Sequence, residues 1–292
     1  MFRRVQYLIE AGAFFTLIGL FGLLDLERAS ALGGFISRTL GPLTPLHDRA
    51  RARMQRVMPE LSSAQAKKIL RDMWDNLGRT IGELPHLDEF RPFQPGGHVE
   101  VCDLAIANAV RDRNVGAIWV SGHFANWEIL PVLITRFGIN GAVVYRAPNN
   151  PYVDRYLFNL RRKHGCPLQF PKGPKGVRGI VAHLKERGHL AMLVDQRMSD
   201  GVEVPFFGIP SMTSAAAAQL ALRHNVPIIV ARIVRLNGPE FRVHLFEPIE
   251  PLSTGDRIAD IKAMMTKVNA HLEEAIRARP HEWLWLHRRW AD

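Results

Sequence analysis

The hydrophobic pattern changes period along the chain. From Val5 to Leu24 the run VQYLIEAGAFFTLIGLFGLL is apolar nearly throughout, and Glu10 is its one charged residue. That length can just cross a bilayer, and it predicts a retained helix embedded in a membrane or lying at its surface. A buried helix of a soluble fold is the plainer alternative. The triplet ASA at Ala29 to Ala31 imitates a signal-peptidase site, but Asp25, Glu27 and Arg28 stand where such a site needs small neutral residues. Residues 1–90 read as helical, interrupted by GPLTPLH at Gly41 to His47. LSSAQAKKILRDMWDNLGRTIGE predicts an amphipathic helix capped at Ser62 or Ser63, with Ile69, Leu70, Met73, Trp74 and Leu77 facing inward. RPFQPGG, Arg91 to Gly97, is a second breaker and a subdomain edge.

Beyond that edge, short apolar runs alternate with helical patterns. GAIWVSG predicts a buried strand, followed by a helix near Asn126 to Phe137. GAVVY, Gly141 to Tyr145, precedes a helix near Pro151 to His164, and a helix near Val177 to Arg187 leads into LAMLVD, Leu190 to Asp195. A helix through SAAAAQLALRH leads into VPIIVARIV and then FRVHLF, two strands close enough to form a hairpin. The alternation argues for an α/β fold with a mixed central sheet covered by helices. The expected organisation is a membrane-associated helix over 1–28, a helical region over 29–96 and an α/β core over 97–292, with 29–292 forming one domain.

Charge and cysteine content narrow the setting. The 292 residues carry a formal charge of +10, which points to an acidic partner: nucleic acid, anionic lipid, a phosphorylated substrate or an acidic carrier protein. The two cysteines, Cys102 and Cys166, lack metal-type spacing and fit a thiol-reducing compartment better than a long-range disulfide.

Chemistry concentrates at strand ends. In SGHFANWE, His123 follows a strand and a glycine, the position where open α/β sheets place their sites. A neutral imidazole there can take a proton from a substrate hydroxyl, and Glu128 is the expected partner of its other ring nitrogen. The plainer reading is a capping histidine and a first-turn glutamate favoured by the helix dipole. No HExxH or GxSxG pattern supports zinc or a serine nucleophile. Arg146, in YRAPNNP, follows a strand directly and suits a phosphate. KGPKGVRG sets Lys172, Lys175 and glycine amides ahead of a helix, an arrangement that suits an anion. Asp195 and Gln196 end a buried strand. HEWLWLHRRW mixes tryptophans with His287, Arg288 and Arg289, which fits anionic headgroups, stacked bases, or a core element with a basic edge.

Taken in order, GHFANWE, YRAPNNP, DQ followed by FFG and Thr213, and PHEWLWLHRRW resemble the late acyltransferases of lipid A biosynthesis. These are the lauroyl and myristoyl acyltransferases of the broader lysophospholipid acyltransferase superfamily. The resemblance spans most of the chain. It implies a glycerol-3-phosphate acyltransferase-like fold and an inner-membrane enzyme whose active site faces the cytoplasm. Such an enzyme moves a fatty acyl group from acyl carrier protein thioester to a hydroxyl of a phosphorylated glycolipid, a lipid A precursor. By position, His123 is the general base and Glu128 its partner. Arg146, Asn126, Asp195, Gln196 and Lys175 are expected to meet substrate, and the closing block is structural or membrane-facing.

That chemistry calls for no metal and no cofactor, because a base can activate the hydroxyl directly against a thioester. Three other readings compete. One is an acyltransferase with another acceptor, such as a lysophospholipid, glycolipid or aminolipid. Another is a thioesterase in which His123 activates water. The third, a nucleic-acid-binding protein, explains the charge but not the apolar N-terminus, and no recognition motif supports it.

Overall fold

The computed structural model describes residues 2–291. Four helices come first: α1 (Phe2–Gly22), α2 (Leu26–Leu40), α3 (Pro45–Val57) and α4 (Ser63–Gly82). Ser62 caps α4 through a capping box with Gln65, which satisfies two of the N–H groups a helix start leaves without partners. Leu70, Met73 and Trp74 are buried as the pattern predicts, with Ile69 and Leu77 packed against the same core. Helices α2 and α4 cross at backbone contact: a Cβ on Gly33 would lie 2.2 Å from the Gly78 carbonyl oxygen. Side chains at this crossing would force the helices apart.

Strands β1 (Val99–Val101), β2 (Ala117–Ser121), β3 (Gly141–Tyr145), β4 (Leu168–Pro171), β5 (His189–Leu193), β8 (Ile228–Asn237) and β9 (Glu240–Leu245) form one seven-stranded sheet. Its order is β1-β9-β8-β2-β5-β3-β4. Strands β8, β2, β5, β3 and β4 run parallel, and β8 pairs antiparallel with β9. The sheet is therefore mixed, as the short β8–β9 connection predicts. Between the strands lie α5 (Leu104–Asp112), α6 (Ile129–Arg136), α7 (Pro151–His164), α8 (Pro174–Lys185) and α9 (Ala216–His224), and α10 (Arg257–Ala278) follows the sheet. β2 is buried along its whole length, as expected of a central parallel strand covered on both faces.

A separate hairpin, β6 (Arg197–Phe206) and β7 (Ile209–Thr213), turns at Phe207 and Gly208, both with positive φ. It packs under α10, where Asn269 Nδ2 donates to the Pro205 carbonyl at 2.9 Å. One continuous core cluster joins Leu70 and Met73 of α4 to Val120 of β2, Met264 of α10 and Trp283, Trp285 and Trp290 of the C-terminal segment. Cys102 is exposed, Cys166 is buried, and both are free thiols.

Helix α1 does not stand apart from this body. Phe14 and Phe15 pack edge-on against Tyr156 of α7, and Asn150 Nδ2 donates to the Tyr7 carbonyl at 2.8 Å and to Glu10 Oε2 at 3.2 Å. At its far end the Phe21 carbonyl lies 3.1 Å from His86 Nε2. The rest of its surface, including Leu8, Ile9, Leu17 and Leu20, is exposed.

Candidate active site

Register brings the site together. In the parallel pair β2–β5, Ser121 lies opposite Leu193, and the Val194 N–H donates to the Ser121 carbonyl at 3.0 Å. Two residues past each strand, His123 and Asp195 therefore meet above the C-terminal edge of the sheet, where open α/β sheets hold their ligands. Asp195 Oδ1 lies 2.8 Å from His123 Nδ1. Asp195 Oδ2 accepts the His123 backbone N–H and the Trp283 indole N–H, each at 2.8 Å. Burial opposes charge on this wholly buried carboxyl. The His123 charge and hydrogen bonds, with the His287 charge, overcome that and hold it well below the usual carboxylate range. An ionised Asp195 keeps the proton of a neutral His123 on Nδ1, so Nε2 presents a lone pair to the cleft.

This pairing corrects the expected role of Glu128. A left-handed Ala125 (φ 44°) turns the chain after His123 and carries Glu128 away from the imidazole. Its carboxylate instead accepts two bonds from the Arg161 guanidinium of α7, Nε to Oε2 at 2.7 Å and Nη2 to Oε1 at 2.5 Å. The pair is buried in the cavity wall, where a bidentate fork holds both charges. Asn126 also departs from expectation. It is wholly buried, donates to Glu83 Oε2 at 2.9 Å and accepts the Glu128 N–H at 3.1 Å. Both contacts tie it into the loop. Asp195 is likewise sealed beneath His123, and neither residue lines the cavity.

Two elements that the sequence reading left unconnected brace the loop. From α4, Thr80 Oγ1 and Asn76 Nδ2 donate to the Ala125 carbonyl at 2.8 and 3.1 Å. Glu83, fully buried, accepts from Ser30 at 2.7 Å and forms an ion pair with Arg235 of β8. Arg235 also donates to Asn76 Oδ1 at 2.8 Å. From the C-terminal segment, the Leu284 N–H donates to the His123 carbonyl at 3.1 Å, and the Ala125 N–H donates to the Glu282 carbonyl at 2.9 Å. The tryptophans of this segment face the interior: Trp283 and Trp285 are wholly buried and Trp290 nearly so. The aromatics of the closing block are thus part of the core and do not face a membrane.

A cavity of about 810 Å³ opens beside His123, within the range of sites that enclose most of a ligand. Its wall is apolar where Val143, Ile180, Met192 and Leu220 line it, and cationic where Arg146, Lys172, Arg223 and Arg257 do. Arg146 and Gln196 both line the cavity. Lys175 does not line it; Lys172 takes that place. Burial, then the Arg146 charge, lower the Lys172 pKa.

Two imidazoles, His189 buried and His287 half-buried, make stability depend on pH. Burial, then the charge of His183, lower His189 to about 4 from 6.5. Burial, then the charge of His123, lower His287 to about 4 as well, against the opposing pull of Asp195. Between pH 6.5 and 4 the unfolded chain therefore binds protons that the folded chain refuses. The stability these groups contribute is complete above pH 6.5 and is lost as pH falls toward 4. The expected result is a melting temperature that declines across this window, with a shallower decline for His189→Gln. A melting temperature that holds constant from pH 7 to 4 contradicts it.

Comparison with known proteins fits this picture. The sequence profile described as "Bacterial lipid A biosynthesis acyltransferase" matches residues 2–292. No curated protein matches the chain significantly. Among solved structures, the 1-acyl-sn-glycerophosphate (LPA) acyltransferase PlsC from Thermotoga maritima is similar at 17% identity, covering 83% of this chain and 98% of that one, with a TM-score of 0.40. A likeness that distant carries no functional weight.

Proposed function

Since the chain belongs to the bacterial lipid A biosynthesis acyltransferases, we propose that it transfers a fatty acyl group from acyl carrier protein thioester to a hydroxyl of a lipid A precursor. The observation that carries this reading is the placement of His123. Its Nε2 lone pair opens on a cavity whose apolar part suits an acyl chain and whose cationic part suits a phosphorylated acceptor. His123 removes the hydroxyl proton as the oxygen attacks the thioester carbonyl, and Asp195 stabilises the imidazolium that forms. The net charge of +10 favours encounter with both an acidic carrier protein and an anionic lipid.

Membrane association is part of the same proposal. The helix over Arg3–Gly22 is long and apolar enough to cross a bilayer. It is, however, fastened at Tyr7 and Glu10 to Asn150, the residue that caps α7, and at Phe21 to His86. A helix tied to the catalytic body at both ends suits the plane of the membrane, apolar face down. Phe35, Leu40, Leu43 and Leu46 extend the exposed apolar surface. The cytoplasmic face of the inner membrane is where such an enzyme meets acyl carrier protein.

Arg146 sits at the cavity as an exposed strand-end guanidinium. Its planar fork can grip a phosphate in a two-point contact that lysine cannot reproduce. Arg146→Lys is expected to raise KM for the phosphorylated acceptor several-fold and leave KM for the acyl donor unchanged. An acceptor lacking its phosphate should abolish the difference. A fall in kcat alone, equal for both acceptors, contradicts the binding role. The activity itself is tested by mass spectrometry of lipid A from cells lacking the protein, where one acyl group fewer per molecule is expected.

A further inference from the structure

The acyl-transfer reading leaves open what meets the charge on the thioester oxygen, and the surroundings of Gln196 answer this. Gln196 follows Asp195 at the end of β5 and lines the cavity. Its Nε2 lies 3.4 Å from His123 Nε2, and 3.2 and 3.4 Å from Nε2 and Nδ1 of His287. The near-equal distances to both His287 nitrogens fix the geometry. Those nitrogens flank Cε1, so an atom in the ring plane at that distance from both would collide with Cε1. The amide nitrogen therefore lies out of the ring plane, a position that fits an N–H···π contact with the imidazole face. The two histidine rings stand 4.5 Å apart between centroids, and the Gln196 amide reaches both.

The amide nitrogen, and not its oxygen, faces His123 for a chemical reason. With the Nδ1 proton held by Asp195, Nε2 is an acceptor and needs a donor. In the free enzyme one Gln196 hydrogen fills that need and the other rests on His287. Arrival of the acceptor hydroxyl at Nε2 releases the first hydrogen into the cleft, beside the carbonyl the hydroxyl attacks. His287 suits the holding role because a neutral ring offers a π face to a donor, and burial and neighbouring charge keep this ring neutral near pH 7.

We propose that Gln196, held over the face of His287, is the side-chain donor that stabilises the oxyanion. The proposal rests on the acyl-transfer reading. In the step, the acceptor O–H proton passes to His123 Nε2, its oxygen bonds to the thioester carbon, and the carbonyl π pair moves onto oxygen. Gln196 Nε2–H donates to that oxygen. The carbonyl then re-forms, the C–S bond breaks, and the departing sulfur takes the proton from His123.

The test uses the full chain with acyl-loaded carrier protein and a phosphorylated glycolipid acceptor. Loss of one such donor typically costs about 10²–10³ in kcat, so Gln196→Ala should lose that much with both KM values little changed. Gln196→Glu, similar in shape but without a donor, should lose at least as much. The kcat loss of Gln196→Ala should persist across the pH range, whereas Gln196→Glu sets a carboxylate beside His123 Nε2 and should also move the pH dependence of kcat/KM to higher pH. His287→Ala should lower kcat roughly tenfold by freeing the amide, whereas His287→Phe, which keeps a ring face, should stay within about threefold of wild type. Wild-type turnover in folded Gln196→Ala overturns the proposal, as does a loss recovered simply by changing pH, which would make Gln196 a tuner of the base. His287→Phe as impaired as His287→Ala, with equal melting temperatures, overturns the holding role. A wild type that cleaves no acyl thioester overturns the acyl-transfer reading itself, whereas these variant outcomes leave that reading standing.

Discussion

Asp195→Asn is expected to lower kcat by about 10⁴, the loss seen when a comparable His–Asp pair is left with the wrong tautomer. The hydrogen bonds dictate which way the asparagine turns. Oδ2 accepts two N–H groups, from the His123 backbone and the Trp283 indole, while Oδ1 faces only His123 Nδ1. The single carbonyl of asparagine satisfies more donors at the Oδ2 position, so its NH₂ faces Nδ1. That donor forces the imidazole proton onto Nε2, and the lone pair that attacks the acceptor hydroxyl is gone. Substrate affinity should change little, because Asp195 is sealed from the cavity. Steady-state kinetics on the folded variant check this, and turnover within tenfold of wild type contradicts it.

Replacing Arg235 with methionine is expected to destabilise the protein by about 3–5 kcal/mol, the usual cost of removing one partner from a buried ion pair. Glu83 is then left fully buried without that cation, keeping Ser30 and Asn126 as donors. The damage should extend beyond stability. Asn76 loses the guanidinium at its Oδ1, and Asn76 with Thr80 holds the carbonyl of left-handed Ala125, two residues from the base. Urea denaturation should show the lower midpoint, and kcat should fall together with it. A loss below about 1 kcal/mol would mean that the network's net worth is small, as some buried ion pairs prove to be.

The two variants mark where the sequence is legible and where it is not. GAVVY announces β3 to the residue and PYVDRYLFNLRRKH announces α7, because local patterning decides both. The His123 loop is also visible locally, as a histidine just past a buried strand. Its partner is not. Asp195 lies 72 positions away and reaches His123 only through the β2–β5 register, and pairing between distant strands leaves no local trace. Glu128 stood nearer in sequence, but spacing cannot reveal the left-handed turn at Ala125 or the pull of Arg161. Glu83 and Arg235 look like ordinary surface charges in the sequence; burial becomes apparent only when α4 lies across the sheet. The HEWLWLHRRW block misleads in the opposite sense. Its tryptophans suggest an interface, yet each indole N–H finds an interior acceptor: Asp195, the Pro280 carbonyl and the Phe206 carbonyl. Arg289 stacks over Phe206 and donates to Thr213, which also explains why the FFG hairpin and Thr213 travel with that block.

The central claim is acyl transfer to a phosphorylated glycolipid at His123. Its most direct test is mass spectrometry of that acceptor after incubation with purified protein and acyl carrier proteins loaded with saturated chains. Wild type should add one acyl group in ester linkage and His123→Ala none, with both proteins giving the same circular dichroism. Free fatty acid with an unmodified acceptor, or acylation that persists in folded His123→Ala, would contradict the account.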